Sequence, residues 1–142
     1  MTDAQAELDA WCQAYVGAFN AYDAAAIAAH WTFPALILSA GRSLAFASPA
    51  PFNRNTSALL EFYKRQNVKT AVRTLREHMM LDAHTASITV ADNMRDSSDV
   101  EIVSWQAAYV LQRIDGAWRA AVALADGEVA AWAARGTPLG RG

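Results

Sequence analysis

The sequence predicts an α+β domain, with helices first and a sheet of antiparallel strands after them. Three observations predict it. Apolar residues recur at three-and-four spacing in the first half of the chain, the period changes to two after Lys69, and Asp115-Gly116 stands between two alternating apolar runs as the dipeptide of a two-residue hairpin turn.

The first helix follows from Leu8, Trp11, Cys12, Tyr15, Val16 and Phe19, which share one helical face, with Thr2 or Asp3 as the start signal. Asp23 caps a shorter helix through "AAAIAAHW", whose inward face would be Ile27, His30 and Trp31. Pro34 ends it, because the residue before a proline is driven out of helical geometry. A short hairpin follows, "ALILS" and "SLAF" about a turn at "AG", and then the loop "ASPAPFNRNTS". Asn55 or Thr56 caps the third helix, with Leu59, Phe62, Tyr63 and Leu60 on its inner face and an end near Asn67.

Four strands come next: "AVRTLREHMMLD", "TASITVADN", "VEIVSWQAAYVLQRI" and "AWRAAVALAD". The stretch "DNMRDSSD" reads as a solvated hairpin loop; its aspartates Asp92, Asp96 and Asp99 lack calcium-loop spacing. In the third strand both alternating sets are apolar: Val103, Trp105, Ala107, Tyr109 and Leu111 on one side, Ile102, Ala108, Val110 and Ile114 on the other. A strand with two dry faces is central, covered by helices on one side and by a second subunit on the other. In the last strand Trp118, Val122 and Leu124 would pack inward and Arg119 outward. A short terminal helix, "GEVAAWAARGTP", closes at Gly136.

The 142 residues suit one domain spanning residues 1–142. At 54% hydrophobic and 18% charged, the chain is apolar enough to predict a homodimer. A net charge of −2 with scattered Lys and Arg makes nucleic acid and membrane surfaces unexpected partners. Cys12, the lone cysteine, reads as a small buried hydrophobe in a reducing setting, and no apolar run at the N-terminus resembles a signal peptide, so a cytoplasmic protein is expected. There is no glycine-rich phosphate loop, nucleophile elbow or metal motif, so no cofactor and no metal is expected.

The order of helices, hairpin and long strands, carried by "YVGAFNAYDAAAIAAHW", the proline and glycine of the first hairpin, "ALLEFYKR" and "YVLQRIDGAWRA", resembles the nuclear transport factor 2-like, or SnoaL-like, superfamily over roughly residues 5 to 126. The resemblance implies a strongly curved sheet wrapped around helices, usually dimeric, enclosing an apolar cavity. It implies a small-molecule-binding domain for a small hydrophobic or carbonyl-bearing ligand. It equally admits a cofactor-free isomerase, dehydratase or cyclase, or a non-catalytic interaction domain. Tyr15 stands where the oxyanion-binding tyrosine of ketosteroid isomerase would stand. The acidic positions of that enzyme are not matched: "ILSAG" puts Ser39 at the place of the base, and "AAYVLQ" has no carboxylate.

Within this frame the candidate ligand-binding residues are Tyr15, Trp31, His78, Gln106 and Trp118, and the candidate proton-transfer groups are His30 and Asp126. Each has a plainer alternative. Tyr15 is either a donor at the cavity floor or a core phenol satisfied by a backbone carbonyl. His30 either acts as a base or closes a helix end. Gln106 either orients a ligand or sits in a dimer interface. Asp126 either serves as a rim carboxylate or does turn and cap work beside Gly127. His78, Asp82 and His84 match no zinc ligand spacing.

Overall fold

The structure is a computed structural model and describes residues 3–139. Its elements run α1 (Asp3–Asn20), α2 (Ala24–Ala28), β1 (Trp31–Ser39), β2 (Arg42–Phe46), α3 (Pro49–Arg65), β3 (Thr70–Met80), β4 (Thr85–Arg95), β5 (Glu101–Ile114), β6 (Ala117–Leu124) and α4 (Asp126–Ala134). The α+β class stands. The six strands form one sheet in the order β2-β1-β6-β5-β4-β3, with α1 and α3 on its inner face. It is a mixed sheet, because β1 lies parallel to β6 while all other neighbours are antiparallel.

Both tight turns arise as their dipeptides demand. Asp115 and Gly116 take φ values of 50° and 80°, and Ala40 and Gly41 take 52° and 74°, the left-handed pair that a two-residue hairpin requires. Asp23 caps α2 by accepting the Ala26 amide at 3.1 Å.

Four expectations about elements are corrected. Trp31 and His30 are not helical: α2 stops at Ala28 and Trp31 opens β1, so the strand begins three residues ahead of Pro34. Pro34, which has no N–H to donate, sits where the β1–β6 ladder is interrupted between Trp31 and Leu36. The third helix begins at Pro49 rather than at Asn55 or Thr56, because proline in a first turn forfeits no helical hydrogen bond. The expected loop is therefore helix, and Phe52 and Thr56 are buried. Asp92 belongs to β4, which continues to Arg95, and is buried.

The fourth correction concerns phase. In β6, Val110 pairs with Val122 but Leu111 pairs with Ala120, so Ala121 is an extra residue. Such a bulge turns every later side chain to the opposite face. Trp118 and Ala120 point inward and are buried, whereas Val122 and Leu124 turn outward and Ala123 takes the inner position. A second bulge at Arg76 in β3 separates inward Leu75 from inward His78.

Candidate functional site

Between α1, α3 and the inner face of the sheet the fold leaves a hollow of about 1080 Å³, closed on one side by α4. Curvature from the bulged strands keeps the sheet from collapsing onto the helices. Its walls are mostly aromatic and aliphatic, with Tyr15 and Phe19 from α1, Phe52 and Leu59 from α3, and Trp31 and Trp105 from the sheet. Three charged side chains join this apolar lining away from the rim: Arg73 and Asp92, both buried, and Glu128, half-buried.

Arg73 and Asp92 face each other across the β3–β4 pair. Nε donates to Asp92 Oδ1 at 2.7 Å and Nη2 to Oδ2 at 2.8 Å, and Nη2 also donates to the Tyr109 hydroxyl at 2.8 Å. Both side chains are 6% exposed. The guanidinium lies 5.3 Å from the Tyr15 ring centroid and 4.8 Å from that of Tyr109, in cation–π range. Its Nη1, buried in the same place, has no hydrogen-bond partner among the described residues.

Glu128 reaches the hollow because of the residue before it. A Cβ on Gly127 would stand 2.1 Å from the Gln106 carbonyl oxygen, so only glycine lets the start of α4 press against β5. The Glu128 carboxylate then accepts the Tyr63 hydroxyl, and at 3.2 Å the Trp132 Nε1–H, both through Oε2. Burial raises its pKa to about 7, with the two donors partly offsetting the rise by favouring the ionised form. Burial likewise pushes Tyr109 up to about 12 and Tyr15 and Tyr63 upward, so the phenols stay protonated at neutral pH.

This carboxylate links stability to pH. An unfolded glutamate ionises near 4.5, so between that value and about 7 the folded chain holds the extra proton and stability falls as pH rises. Above that window the buried charge carries a penalty of at most about 3 kcal/mol, at about 1.4 kcal/mol per pH unit. Glu128→Gln, whose amide oxygen accepts the same two bonds, is expected to exceed the parent at pH 8 by about 1–3 kcal/mol and to match it near pH 5. Urea titrations at the two pH values measure this; equal stability at pH 8 would mean that Glu128 ionises as an ordinary surface carboxylate.

The sequence-predicted residues divide. Tyr15 and Trp31 line the hollow together, Trp31 Nε1 donating to the Tyr15 hydroxyl at 2.9 Å. Tyr15 is therefore satisfied by an indole rather than a backbone carbonyl, and its own proton remains to be donated. The other five lie outside this lining. His30 Nδ1–H donates to the Ala26 carbonyl at 2.8 Å, the helix-end arrangement. Gln106 is exposed on the outer face of β5, because Trp105 and Ala107 take the inner positions. Asp126 is exposed and accepts the Ala40 amide at 2.5 Å, tying the first hairpin to the start of α4. His78 is half-buried beyond the β3 bulge, opposite Ile88. Trp118 is buried under Arg113, whose guanidinium lies 4.5 Å over its ring. Asp82 caps the β3–β4 turn by accepting the His84 amide at 2.8 Å.

A curved mixed sheet enclosing a lined hollow, with helices packed inside and a short closing helix, defines the cone class of α+β domains. The family model described as "NTF2-like protein (DUF6841)" matches residues 6–128, and the chain belongs to that family. No curated protein matches the sequence. Solved structures share the fold. An NTF-2 like protein of unknown function from Shewanella oneidensis MR-1 is 14% identical, with 85% of this chain and 97% of that one covered and a TM-score of 0.68. A ketosteroid isomerase-like protein from Erwinia carotovora atroseptica SCRI1043 is 20% identical, with 87% and 95% covered and a TM-score of 0.66. Aln2 from a Streptomyces species is 14% identical, with 87% and 90% covered and a TM-score of 0.69.

Proposed function

We propose that the chain is a small-molecule-binding member of its family and that the hollow under α4 is its binding site. The observation that carries this reading is an aromatic-lined space of about 1080 Å³ into which a few polar atoms converge, the usual make-up of a ligand site. The occupant is a small, mostly apolar molecule held against Tyr15, Trp31 and Phe52. The test is a thermal-shift screen of small hydrophobic and carbonyl-bearing compounds against the parent and Leu59→Trp, which places an indole in the half-buried wall of α3. A compound present at 100 times its Kd adds about 2.7 kcal/mol, or roughly 5–10 °C for a chain of this size. The shift is expected in the parent and absent in Leu59→Trp at unchanged unliganded Tm; a screen flat for the parent would remove the binding reading.

A second reading, a cofactor-free proton-transfer enzyme, is favoured by one observation: a carboxylate facing the hollow with its pKa near 7. The group is Glu128 rather than His30 or Asp126, which lie outside the lining of the hollow with their side chains bonded to backbone. Glu128→Gln separates the two readings, since it keeps the ligand-induced shift in both and abolishes turnover only in the second.

The homodimer belongs to the same proposal. It is supported by an outward apolar stripe made of Leu36, Leu38, Val122, Leu124 and Val110 on neighbouring strands. A cytoplasmic setting is proposed from Cys12, a buried thiol that burial pushes up to about 11. No helix among the described residues is long and apolar enough to cross a membrane.

A further inference from the structure

Resting on the reading of the hollow as a binding site, the setting of Glu128 in its wall specifies the charge of the occupant. One carboxylate oxygen is committed: Oε2 accepts the Tyr63 hydroxyl from α3 and the Trp132 Nε1–H from its own helix. The other, Oε1, accepts from no described residue, and it is not sealed in by protein as Arg73 Nη1 is. The open space that Glu128 borders is the hollow. A free acceptor turned to the space a ligand fills is met by a donor on that ligand.

Charge decides which donor. The groups that act on Glu128 from the other elements are Tyr15 on α1, Tyr63 on α3, Arg73 on β3, Asp92 on β4 and Tyr109 on β5. The phenols are held protonated by burial, and Arg73 and Asp92 cancel one another in their bidentate pair. The remaining charged lining residues, Arg42, Glu61 and Arg65, are exposed at the rim, where solvent screens them. Once ionised, Glu128 therefore leaves the interior with an excess of negative charge. The fold has already stripped water from this carboxylate, which is what raises its pKa, so a cation at Oε1 restores stabilisation that burial removed. The rings around it favour a cation as well. Tyr63 and Trp105 both line the hollow, each 6.1 Å from Trp132 by ring centroids, and aromatic faces attract ammonium groups. An alcohol would meet the same oxygen without the charge, and a carboxylate would be repelled.

We infer that the occupant is a hydrophobic amine bound as its ammonium ion, a cationic N–H group on an apolar body that donates to Glu128 Oε1.

Three probes of similar shape test this by equilibrium dialysis at pH 8, where Glu128 is mostly ionised: 2-naphthylmethylamine, 2-naphthylmethanol and 2-naphthoate. The amine is expected to bind at least about tenfold more tightly than the alcohol, the increment of a charge-paired hydrogen bond, and the carboxylate more weakly than either. From pH 6 to pH 8 the amine should gain about tenfold as Glu128 loses its proton near 7. The alcohol should change little, since it can accept from the protonated group or donate to the ionised one. In Glu128→Gln the amide oxygen takes the two bonds of Oε2 and an NH2 stands in place of Oε1, a donor facing a donor. There the amine should fall to the affinity of the alcohol or below and lose its pH dependence, while the alcohol, like the uncharged compounds of the thermal-shift screen, keeps its affinity. Equal binding of amine and alcohol to the parent, or tighter binding of 2-naphthoate than of the amine, overturns the ammonium subsite and leaves the binding reading standing. An amine preference that persists in Glu128→Gln overturns the assignment to Oε1. No binding of any of the three removes the binding reading and this inference with it. Should Glu128→Gln fail to fold, the probe comparison and the pH profile of the parent decide.

Discussion

Asp92→Ala is expected to lose about 3–5 kcal/mol of folding stability, a large share of the usual margin of about 5–15 kcal/mol. The size comes from what is left behind rather than from what is removed. Arg73 is 6% exposed and gives two of its nitrogens to the Asp92 carboxylate; without that partner its full charge stays enclosed among Tyr15, Tyr109 and the sheet. The Tyr109 hydroxyl is then its remaining acceptor. Neither desolvation nor hydrogen bonding can be recovered locally, because β3 and β4 fix both residues opposite one another. Urea denaturation at pH 7 should show a lower midpoint with little change in slope, the signature of a weakened native state. Replacing both partners with apolar residues should be far milder than removing one, since the unpaired charge is then absent. A loss of less than about 1 kcal/mol for Asp92→Ala would place the pair within reach of water, as surface pairs are.

The parts of this fold that could be read from sequence are those in which one residue type repeats a period. The face of α1, from Leu8 through Val16, is buried as the 3.6-residue spacing requires, and the two hairpin dipeptides adopt the positive φ values their chemistry permits. Bulges are different. An inserted residue such as Ala121 leaves composition and apparent alternation intact, yet it reverses Val122 and Leu124, so an unbroken period-two reading must fail beyond it. The start of α3 is hidden for a related reason: prolines, serine and asparagine read as loop, but proline in a first helical turn is favourable.

The candidate site was legible only in part. His30 and Asp126 are polar residues satisfied by backbone, at Ala26 one helical turn away and at Ala40 across the fold, and residue type alone does not distinguish such service from a role in a cavity. Arg73, Asp92 and Glu128 did carry a signal, one that needs register as well as type. Asp92 falls between Val90 and Met94 in an inward set, Arg73 follows Ala71 in another, and the hairpin places the two opposite each other. Glu128 stands four residues before Trp132, on the same helical face as the one residue of α4 that is buried. A charge in an apolar periodic set is costly unless it is partnered, so such positions are where function is best sought.

Trp132→Ala is expected to lower stability by about 3–5 kcal/mol and Tm by roughly 8–15 °C. The helix it belongs to has little else to hold it: α4 is rich in alanine, and Trp132 is its only buried residue. The indole is fully enclosed, edge-on to Phe62 with centroids 5.0 Å apart and near Trp105 and Tyr63 at 6.1 Å each. Truncation leaves a large void in the wall of the hollow and also deprives the Glu128 carboxylate of one of its two donors. Trp132→Phe divides these effects. It keeps most of the packing and removes only the N–H, so it should cost much less stability while moving the ionisation of Glu128 above about 7, because the lost bond favoured the charged form. Both variants should therefore carry the decline of stability to higher pH, and Trp132→Ala should in addition lose stability at every pH. If Trp132→Ala unfolded within about 1 kcal/mol of the parent, α4 would not be anchored by its indole. The hollow would then lack the side that brings Glu128 to it.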